Sequence, residues 1–355
     1  MIRDGETVAA ATLVRPIAWG QKQAEGVLDR VDAFLESRSA SPRQYQLLRA
    51  ALLGFREHLR PAMVAESVIP CMHLPLLVYA GIRGDEAPAR PLAVATTLLY
   101  LGIDLIDDLA DGDLVDGALP PHWDGYRATE INLAAATLLS SLPQLALAEL
   151  DVPPDRGVAL QRVLARGLLR MSAGQQRDLA LAGTSGADVG EVEASVVAKS
   201  GEGWALFAAL AAQLAGAEPE VVDAYASFGR WLGAARQIAN DCHDLFTAAH
   251  SRDLASGART LPIAMHLERL AGQERHSFLG LLDGARRDSG AQRAVRARLR
   301  AAGELLRCGV QVEVHCRRAG RALERARPLE PAAGLLRSMI DEASFLPKRA
   351  LERDP

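Results

Sequence analysis

The stretch LLYLGIDLIDDLAD, residues 98–111, places four aspartates directly behind an apolar run. Acidic residues are rare on buried helix faces unless something pairs with them. In a helix, Asp107 and Asp111 are four residues apart, so their carboxylates share one face, with Cβ atoms roughly 5–6 Å apart. Asp104 and Asp108 extend this acidic surface by one turn. The four aspartates, here called the first acidic cluster, predict that a cation pairs with this helix.

A second acidic cluster lies in the stretch QIANDCHD, residues 237–244, behind the apolar run FGRWLGAA. Asn240 and Asp244 repeat the four-residue spacing, Asp241 lies beside them, and Gln237 lies one turn earlier. Mg²⁺ prefers oxygen ligands, keeps several waters and usually bridges carboxylates to substrate phosphates. Two such clusters within apolar surroundings predict magnesium sites that serve a phosphorylated substrate, rather than two acidic helix ends exposed to solvent.

Composition limits the possible functions. The chain has 355 residues, 49% of them hydrophobic, which is enough to bury a large core. Its formal net charge of −4 gives no electrostatic reason to expect nucleic acid as a partner. The four cysteines lack the spacing of a disulfide framework or a zinc site, which suits a reducing cytosol. The N-terminus lacks a signal-peptide core and no apolar run reaches membrane-span length, so we expect a cytoplasmic protein without an integral membrane segment.

Helical periodicity runs through nearly the whole chain, and strand signals are weak. We predict a single all-α domain over residues 18–355, preceded by an N-terminal tail at residues 1–17. No Ser/Gly-rich linker divides the chain, and the breaks between periodic segments are short. The predicted helices cover residues 18–37, 42–59, 64–82, 88–111, 126–150, 155–184, 188–216, 219–248, 260–284, 290–326 and 331–351.

Five segments between residues 64 and 270 together resemble the motifs of one known family. They are DDLAD at 107–111, GQQRDL at 174–179, KS at 199–200, QIANDCHD at 237–244 and DLASGARTLP at 253–262. In order and spacing the chain resembles the trans-isoprenyl diphosphate synthases, or polyprenyl synthetases, of the class I isoprenoid synthase superfamily. The resemblance implies a single-domain helical bundle of that class, a prenyl diphosphate substrate, Mg²⁺ as cofactor, and a homodimer.

The resemblance also implies roles for single residues. Magnesium would neutralise a departing diphosphate as charge develops on it. The implied metal ligands are Asp107, Asp108, Asp111, Asn240, Asp241 and Asp244. The implied catalytic residues, which contact the diphosphate, are Lys199, Gln175 and Gln237. The further substrate contacts are Gly102 and Ile103 for the prenyl chain. The lysine that the family carries before TLP is absent, and Arg252 or Arg259 is expected to replace it as a diphosphate contact; the alternative for each is an ordinary surface arginine.

The chain departs from this family where the second substrate, isopentenyl diphosphate, is bound. The family's GGKRLRP motif aligns with IPCMHLP at residues 69–75, so the lysine and both arginines are missing. The family's Arg-Arg-Gly falls at residues 116–118, where an aspartate comes first, and Ala258 replaces the lysine before TLP. Each lost charge-assisted hydrogen bond removes roughly 1.5–3 kcal/mol. Ordinary elongation with isopentenyl diphosphate is therefore not expected.

Three functions fit this pattern. The first, which we favour, is a terpene synthase that ionises one allylic diphosphate and cyclises the carbocation. Asn240 and Asp244 partly match the metal motif of terpene cyclases, although Ala248 stands where that motif has glutamate. The second is prenyl transfer to isopentenyl diphosphate or another acceptor. The third is a non-catalytic subunit of a heteromeric prenyl synthase.

Substrate length is predicted from the residues four and five positions before the first aspartate motif, Ile103 and Gly102. In the family, bulky residues there close the floor of the pocket. Gly102 leaves room and favours a prenyl chain longer than ten carbons. The alternative is that Gly102 allows two helices to pack closely.

Overall fold

The computed structural model describes residues 6–64, 68–112, 114–117, 119–184, 186 and 188–345, and their side chains from residue 20 onward except at residues 64 and 111. The regular structure of these residues is helical throughout, and they contain no strand, so the predicted all-α class is confirmed. The α-helices are α1 (Glu6–Arg38), α2 (Pro42–Val64), α3 (Pro70–Arg83), α4 (Arg90–Asp111), α5 (Ala128–Leu139), α6 (Ser141–Ala148), α7 (Pro154–Leu181), α8 (Val189–Val196), α9 (Glu202–Leu214), α10 (Pro219–Thr247), α11 (Arg252–Ser256), α12 (Leu261–Glu268), α13 (Gly272–Ala285), α14 (Ser289–Ala301), α15 (Glu304–Ala326) and α16 (Ala332–Ala343). Short 3₁₀ turns occur at Ala87–Ala89 and Pro121–Trp123, and a π-helical segment occurs at Val197–Gly201.

Several predicted helices are divided in the structure. The predicted helix at 188–216 consists of α8, the π-helical segment and α9, and the one at 290–326 consists of α14 and α15. Gly303, with φ 76°, adopts the left-handed conformation between α14 and α15, which side-chain-bearing residues rarely adopt. At the other end of the chain, α1 begins at Glu6 and covers most of the predicted N-terminal tail. The run of alanines at residues 9–11 favours this helix.

The chain forms two compact units. Unit 1 comprises Met1–Gln161, Leu210–Ala217 and Leu329–Leu335, and unit 2 comprises Arg162–Ala209, Glu218–Pro328 and Leu336–Pro355. Three divisions fall inside α7, α9 and α16, and the other two fall between α9 and α10 and between α15 and α16. The first acidic cluster belongs to unit 1 and the second to unit 2.

In unit 1, α4 packs against α3, α5 and α6. Its buried face includes Leu98 and Leu101, which are at most 2% exposed. Thr96 on α4 donates a hydrogen bond from Oγ1 to the carbonyl oxygen of Cys71 on α3 at 2.6 Å. These contacts fix the helix that ends in the first acidic cluster.

In unit 2, α10 packs along α15 and beside the π-helical segment. Phe228 and Leu232 of α10 are completely buried. A β-carbon at Gly229 would lie 2.5 Å from the carbonyl oxygen of Trp204, so glycine is needed for α10 to approach α9. This close packing fixes the helix that carries the second acidic cluster.

The stretch Ala128–Ala148, which comprises α5 and α6, has the length and hydropathy of a membrane span. The core helices of soluble proteins have the same properties, and 44% of the apolar 18-residue window within this stretch is buried. The expected absence of an integral membrane segment therefore stays a prediction.

Candidate functional site

The first acidic cluster lies at the C-terminal end of α4. The helix ends at Gly112, whose φ of 79° is left-handed and whose N–H donates to the carbonyl oxygens of the last turn. Asp104, Asp107 and Asp108 are half-buried, and the side chain of Asp111 lies outside the described residues. A helix C-terminus carries partial negative charge, so carboxylates there favour a bound cation.

Tyr100, one turn before this cluster, is affected by the same negative charge. Burial raises the pKa of its hydroxyl most, and Asp104, Asp107 and Asp108 raise it further. Because several carboxylates act together on one neighbour, the cluster has negative charge that a divalent cation would offset. The residues present therefore fit the magnesium ions that the sequence predicts.

The second acidic cluster contains one buried carboxylate. Asp241 is 7% exposed and accepts a hydrogen bond at 2.7 Å from Gln237 Nε2. Burial raises the pKa of Asp241, and the charges of Asp178 and Asp244 add to the rise. Gln237 and Lys199 oppose it without cancelling it. A cation at this position would stabilise the ionised carboxylate, which again fits a metal ligand.

Asp244, a predicted metal ligand, caps α11 in the structure. Its Oδ2 accepts hydrogen bonds from Ser251 Oγ at 2.5 Å and from the backbone N–H of Asp253 at 3.3 Å. Its Oδ1 accepts one from the backbone N–H of Arg252 at 3.2 Å. An ionised carboxylate has about four acceptor positions, so these bonds leave room for one more contact. The metal role of Asp244 stays a prediction.

The end of α10 bears on the partial likeness to terpene cyclases. Asn240 is exposed and lies one turn before Asp244. The helix ends at Thr247, and Ala248 has an extended conformation with ψ 140°. Ala248, at the third position of the cyclase metal motif, therefore lies outside the helix and also lacks a carboxylate.

The predicted residues Lys199 and Gln237 have polar partners in unit 2. Lys199 Nζ lies 3.1 Å from Asp178 Oδ2 on α7. Ser200 Oγ donates to Gln237 Oε1 at 2.8 Å. Gln175 lies on α7, one turn before Asp178, and is half-buried. The structure therefore brings together Lys199, Asp178, Gln237 and Asp241 around the π-helical segment.

No group of three or more His, Cys, Asp or Glu side chains close enough to hold a metal ion occurs in the described part of the chain. Mg²⁺ is often held by one or two carboxylates together with waters and substrate phosphates, so separate carboxylates suit it better than a complete protein cage. The prediction that both clusters serve one diphosphate concerns two units and stays a prediction.

The two predicted arginine contacts differ in their surroundings. Arg259 donates from Nε to the carbonyl oxygen of Thr184 at 2.8 Å and from Nη1 to that of Gly257 at 3.1 Å. Arg259 thus ties together two loops of unit 2. Arg252 is the first residue of α11 and is exposed. For both, diphosphate binding stays a prediction.

Arg236 is a candidate that the motif comparison did not identify. It is half-buried on α10, one turn before Asn240. Among the described residues it has no hydrogen-bond or ion-pair partner. A partly buried charge without a partner is costly, which favours an anionic ligand at this position. In the sequence, the position of Arg236 next to Gln237 was the feature that could have indicated its place in the site.

The segment that departs from the family motif is buried and uncharged. Cys71 and Met72 are 0% exposed and His73 is 1% exposed. His73 Nδ1 accepts a hydrogen bond from the N–H of Ile69 at 2.8 Å, and its Nε2 lies 2.8 Å from the carbonyl oxygen of Gly20. Burial lowers the pKa of His73 to about 4, so the ring is neutral at pH 7. The start of α3 therefore offers no positive charge to a diphosphate.

Asp116, which replaces a family arginine, has a structural role in unit 1. Its Oδ1 accepts a hydrogen bond from the backbone N–H of Ala128, the first residue of α5, at 2.7 Å. A carboxylate is favourable at a helix N-terminus, so this position supports α5. It supplies no cation for a substrate.

Gly102, predicted to leave room for a long prenyl chain, contacts α5. A β-carbon there would lie 2.8 Å from Leu139 Cγ and 2.9 Å from its backbone nitrogen. Close helix packing thus accounts for this glycine. Ile103 is half-buried on α4. Substrate length stays a prediction, and Gly102 no longer supports it.

Comparisons with a family model and with known proteins point to the same family. The polyprenyl synthetase family model matches residues 58–298. The (2E,6E)-farnesyl diphosphate synthase of Mycobacterium bovis is 28% identical over 244 residues, 66% of this chain. The aligned part is also 66% of that enzyme, slightly less than two thirds of its length.

Solved structures share the fold. A geranylgeranyl pyrophosphate synthetase from Pyrococcus horikoshii has a TM-score of 0.76 and 20% identity, covering 95% of this chain and 100% of its own. A polyprenyl synthase from Caulobacter crescentus, complexed with calcium and isoprenyl diphosphate, has a TM-score of 0.73 and 20% identity. The match covers 93% of this chain and 96% of the Caulobacter chain. At this identity the likeness shows the fold alone.

Proposed function

Because the chain belongs to the polyprenyl synthetase family of prenyltransferase enzymes, we propose that it ionises one allylic prenyl diphosphate with Mg²⁺. We propose further that the carbocation is captured by the substrate's own double bonds, which makes the protein a terpene synthase. The observation that carries the second step is the uncharged, buried start of α3. A diphosphate acceptor needs cations, and neutral His73 and buried Cys71 supply none.

Each acidic cluster would supply oxygen ligands for the magnesium ions that assist ionisation. Asp107, Asp108 and Asp111 would hold magnesium in unit 1, and Asn240, Asp241 and Asp244 would hold it in unit 2. When bound, Mg²⁺ supplies positive charge that stabilises the leaving diphosphate. The calcium-bound Caulobacter relative supports a divalent cation in this family.

The protein's own cations would contact the same leaving group. The Lys199 ammonium would donate hydrogen bonds to diphosphate oxygens, and Arg236 would add a second positive contact. Gln175 and Gln237 would donate from their amide groups. Apolar side chains around the prenyl chain would exclude the water that otherwise captures the carbocation.

Prenyl transfer is the second candidate, and the relatives favour it. The mycobacterial relative is named a farnesyl diphosphate synthase and the Pyrococcus neighbour a geranylgeranyl pyrophosphate synthetase. In this chain such a reaction would use an acceptor that does not require the missing cations. A homodimer and a cytoplasmic location also stay predictions.

The deciding experiment is incubation of the protein with Mg²⁺ and geranyl, farnesyl or geranylgeranyl diphosphate, each alone and then with isopentenyl diphosphate. Hydrocarbon or terpene alcohol from a single substrate supports cyclisation. A longer prenyl diphosphate formed only with isopentenyl diphosphate would establish transfer and refute cyclisation. Diphosphate release from none of them, alone or with isopentenyl diphosphate, would refute cyclisation and leave transfer to a different acceptor or a non-catalytic subunit.

Metal dependence is tested separately with Asp107→Ala and Asn240→Ala. We expect each to lower diphosphate release by roughly 100-fold or more, because charge stabilisation in the transition state is lost. Asp124→Ala, an exposed acid of unit 1, is the control and should behave as wild type. Unchanged turnover and magnesium dependence in both site variants would refute the metal assignment.

A further inference from the structure

The carboxylate of Glu202 connects two helices of unit 2. Glu202 is the first residue of α9, directly after the π-helical segment Val197–Gly201. Its Oε2 accepts a hydrogen bond from Arg170 Nε of α7 at 2.7 Å. Its Oε1 accepts one from Arg230 Nε of α10 at 2.5 Å. The carboxylate thus links α7 and α10, because each of its two oxygens accepts a hydrogen bond from an arginine of one of these helices.

This arrangement keeps Glu202 ionised although it is only 7% exposed. Burial, the largest effect, raises its pKa, but the hydrogen bonds and charges of Arg230 and Arg170 together lower it below the usual range. A buried carboxylate without such partners would be strongly unfavourable. The carboxylate and the two arginines therefore act as one unit, here called the Glu202 clamp.

The clamp lies at one end of the segment that carries Lys199. At this segment the helix makes a π turn, a conformation that is rare and frequently found at functional sites. Relative to an α-helix, a π turn accommodates one additional residue. Loss of that turn would rotate Lys199 relative to α9 by about 100°, the angle per residue of an α-helix. The direction of the Lys199 ammonium thus depends on what holds the turn.

Contacts on both sides of Lys199 hold the turn in place. Lys199 pairs with Asp178, and Ser200 bonds to Gln237. A β-carbon at Gly201 would lie 2.7 Å from the carbonyl oxygen of Arg230, so this backbone contact is close as well. The Glu202 clamp is the charged anchor that follows immediately in the sequence.

We propose that Glu202 is a positioning residue for Lys199: its ion pairs with Arg170 and Arg230 hold the π turn so that the Lys199 ammonium faces the diphosphate. Glu202 touches no substrate in this proposal and acts through Lys199. The inference rests on the proposed function, because Lys199 needs a diphosphate to bind.

A double-mutant cycle tests the coupling. The dissociation constant of inorganic pyrophosphate in the presence of Mg²⁺ is measured by calorimetry for the full chain, for Lys199→Ala, for Glu202→Gln and for the double variant. We expect Glu202→Gln to weaken binding about 10-fold, a loss comparable to one charge-assisted contact. In the Lys199→Ala background the same substitution should have no further effect. Arg170→Gln removes one of the two ion pairs and should weaken pyrophosphate binding in the same pattern but by a smaller factor. It replaces Glu202→Gln in the cycle if that variant does not fold.

Glu304→Gln is the matched control for stability. Glu304 is a completely buried carboxylate of unit 2 that pairs with Arg269 at 3.2 Å. We expect this variant to lower Tm and to leave pyrophosphate affinity unchanged.

Two results would overturn the positioning role while leaving the proposed function intact. One is unchanged pyrophosphate affinity in Glu202→Gln and Arg170→Gln when Lys199→Ala weakens it. The other is an equal loss from Glu202→Gln in both backgrounds. A wild-type chain that binds no magnesium pyrophosphate would instead refute the proposed function, and this inference with it.

Discussion

A β-carbon at Gly174 would lie 2.5 Å from the backbone nitrogen of Lys199. Real β-carbons do not approach other atoms so closely, so α7 can lie this near the π-helical segment only with glycine at position 174. The contact explains why a glycine stands one residue before Gln175. It also makes the position of Lys199 depend on the packing of α7.

Gly174→Ala should therefore disturb both stability and substrate binding. Because the obstacle is backbone rather than a flexible side chain, α7 and the π-helical segment must separate, which costs about 1–3 kcal/mol. We expect a lower free energy of unfolding in urea and weaker binding of magnesium pyrophosphate. Gly157→Ala on the same helix is the control, since its β-carbon would meet Val152 at an ordinary 4.0 Å. Equal stability of the two variants would contradict the packing argument.

Gly102→Ala should destabilise unit 1. Its β-carbon would meet both the side chain and the backbone of Leu139, so α4 and α5 must move apart at a cost of about 1–3 kcal/mol. Thermal unfolding should show a fall in Tm that Gly26→Ala, with nothing within 4 Å, does not cause. If Tm stayed constant while the preferred substrate became shorter, Gly102 would belong to the pocket floor instead.

Arg236→Gln should weaken diphosphate binding without destabilising the fold. The half-buried Arg236 has no hydrogen-bond or ion-pair partner among the described residues, so its removal breaks no bond between them. Loss of one charge-assisted contact should weaken magnesium pyrophosphate binding by about 10-fold or more, measured by calorimetry. Arg166→Gln, at an exposed position of α7, should bind as wild type does. Wild-type affinity in Arg236→Gln would remove this residue from the site.

Acid should destabilise the protein partly through His73. Burial lowers its folded pKa to about 4, whereas the unfolded value is about 6.5. Between these values the unfolded chain binds more protons, so the free energy of unfolding falls as pH decreases, by at most about 1.4 kcal/mol per pH unit from this group. The stabilisation is fully present above pH 6.5.

Urea unfolding from pH 7.5 to pH 4.5 measures this contribution. In His73→Gln the decline towards low pH should be smaller, because the group that titrates is absent. His58→Gln, at an exposed histidine, should keep the wild-type decline. Parallel curves for His73→Gln and wild type would show that His73 does not contribute.

The sequence by itself determined the all-α class, both acidic clusters, the family and the uncharged start of α3. Helical period and four-residue spacing are local properties, and a missing lysine or arginine is visible without coordinates. Only the tertiary structure decided that Gly102 contacts α5, that Asp244 caps α11 and that Glu202 joins two arginines. These partners lie on different helices and are not neighbours in the sequence. Packing brings them together, and local sequence patterns do not predict such contacts.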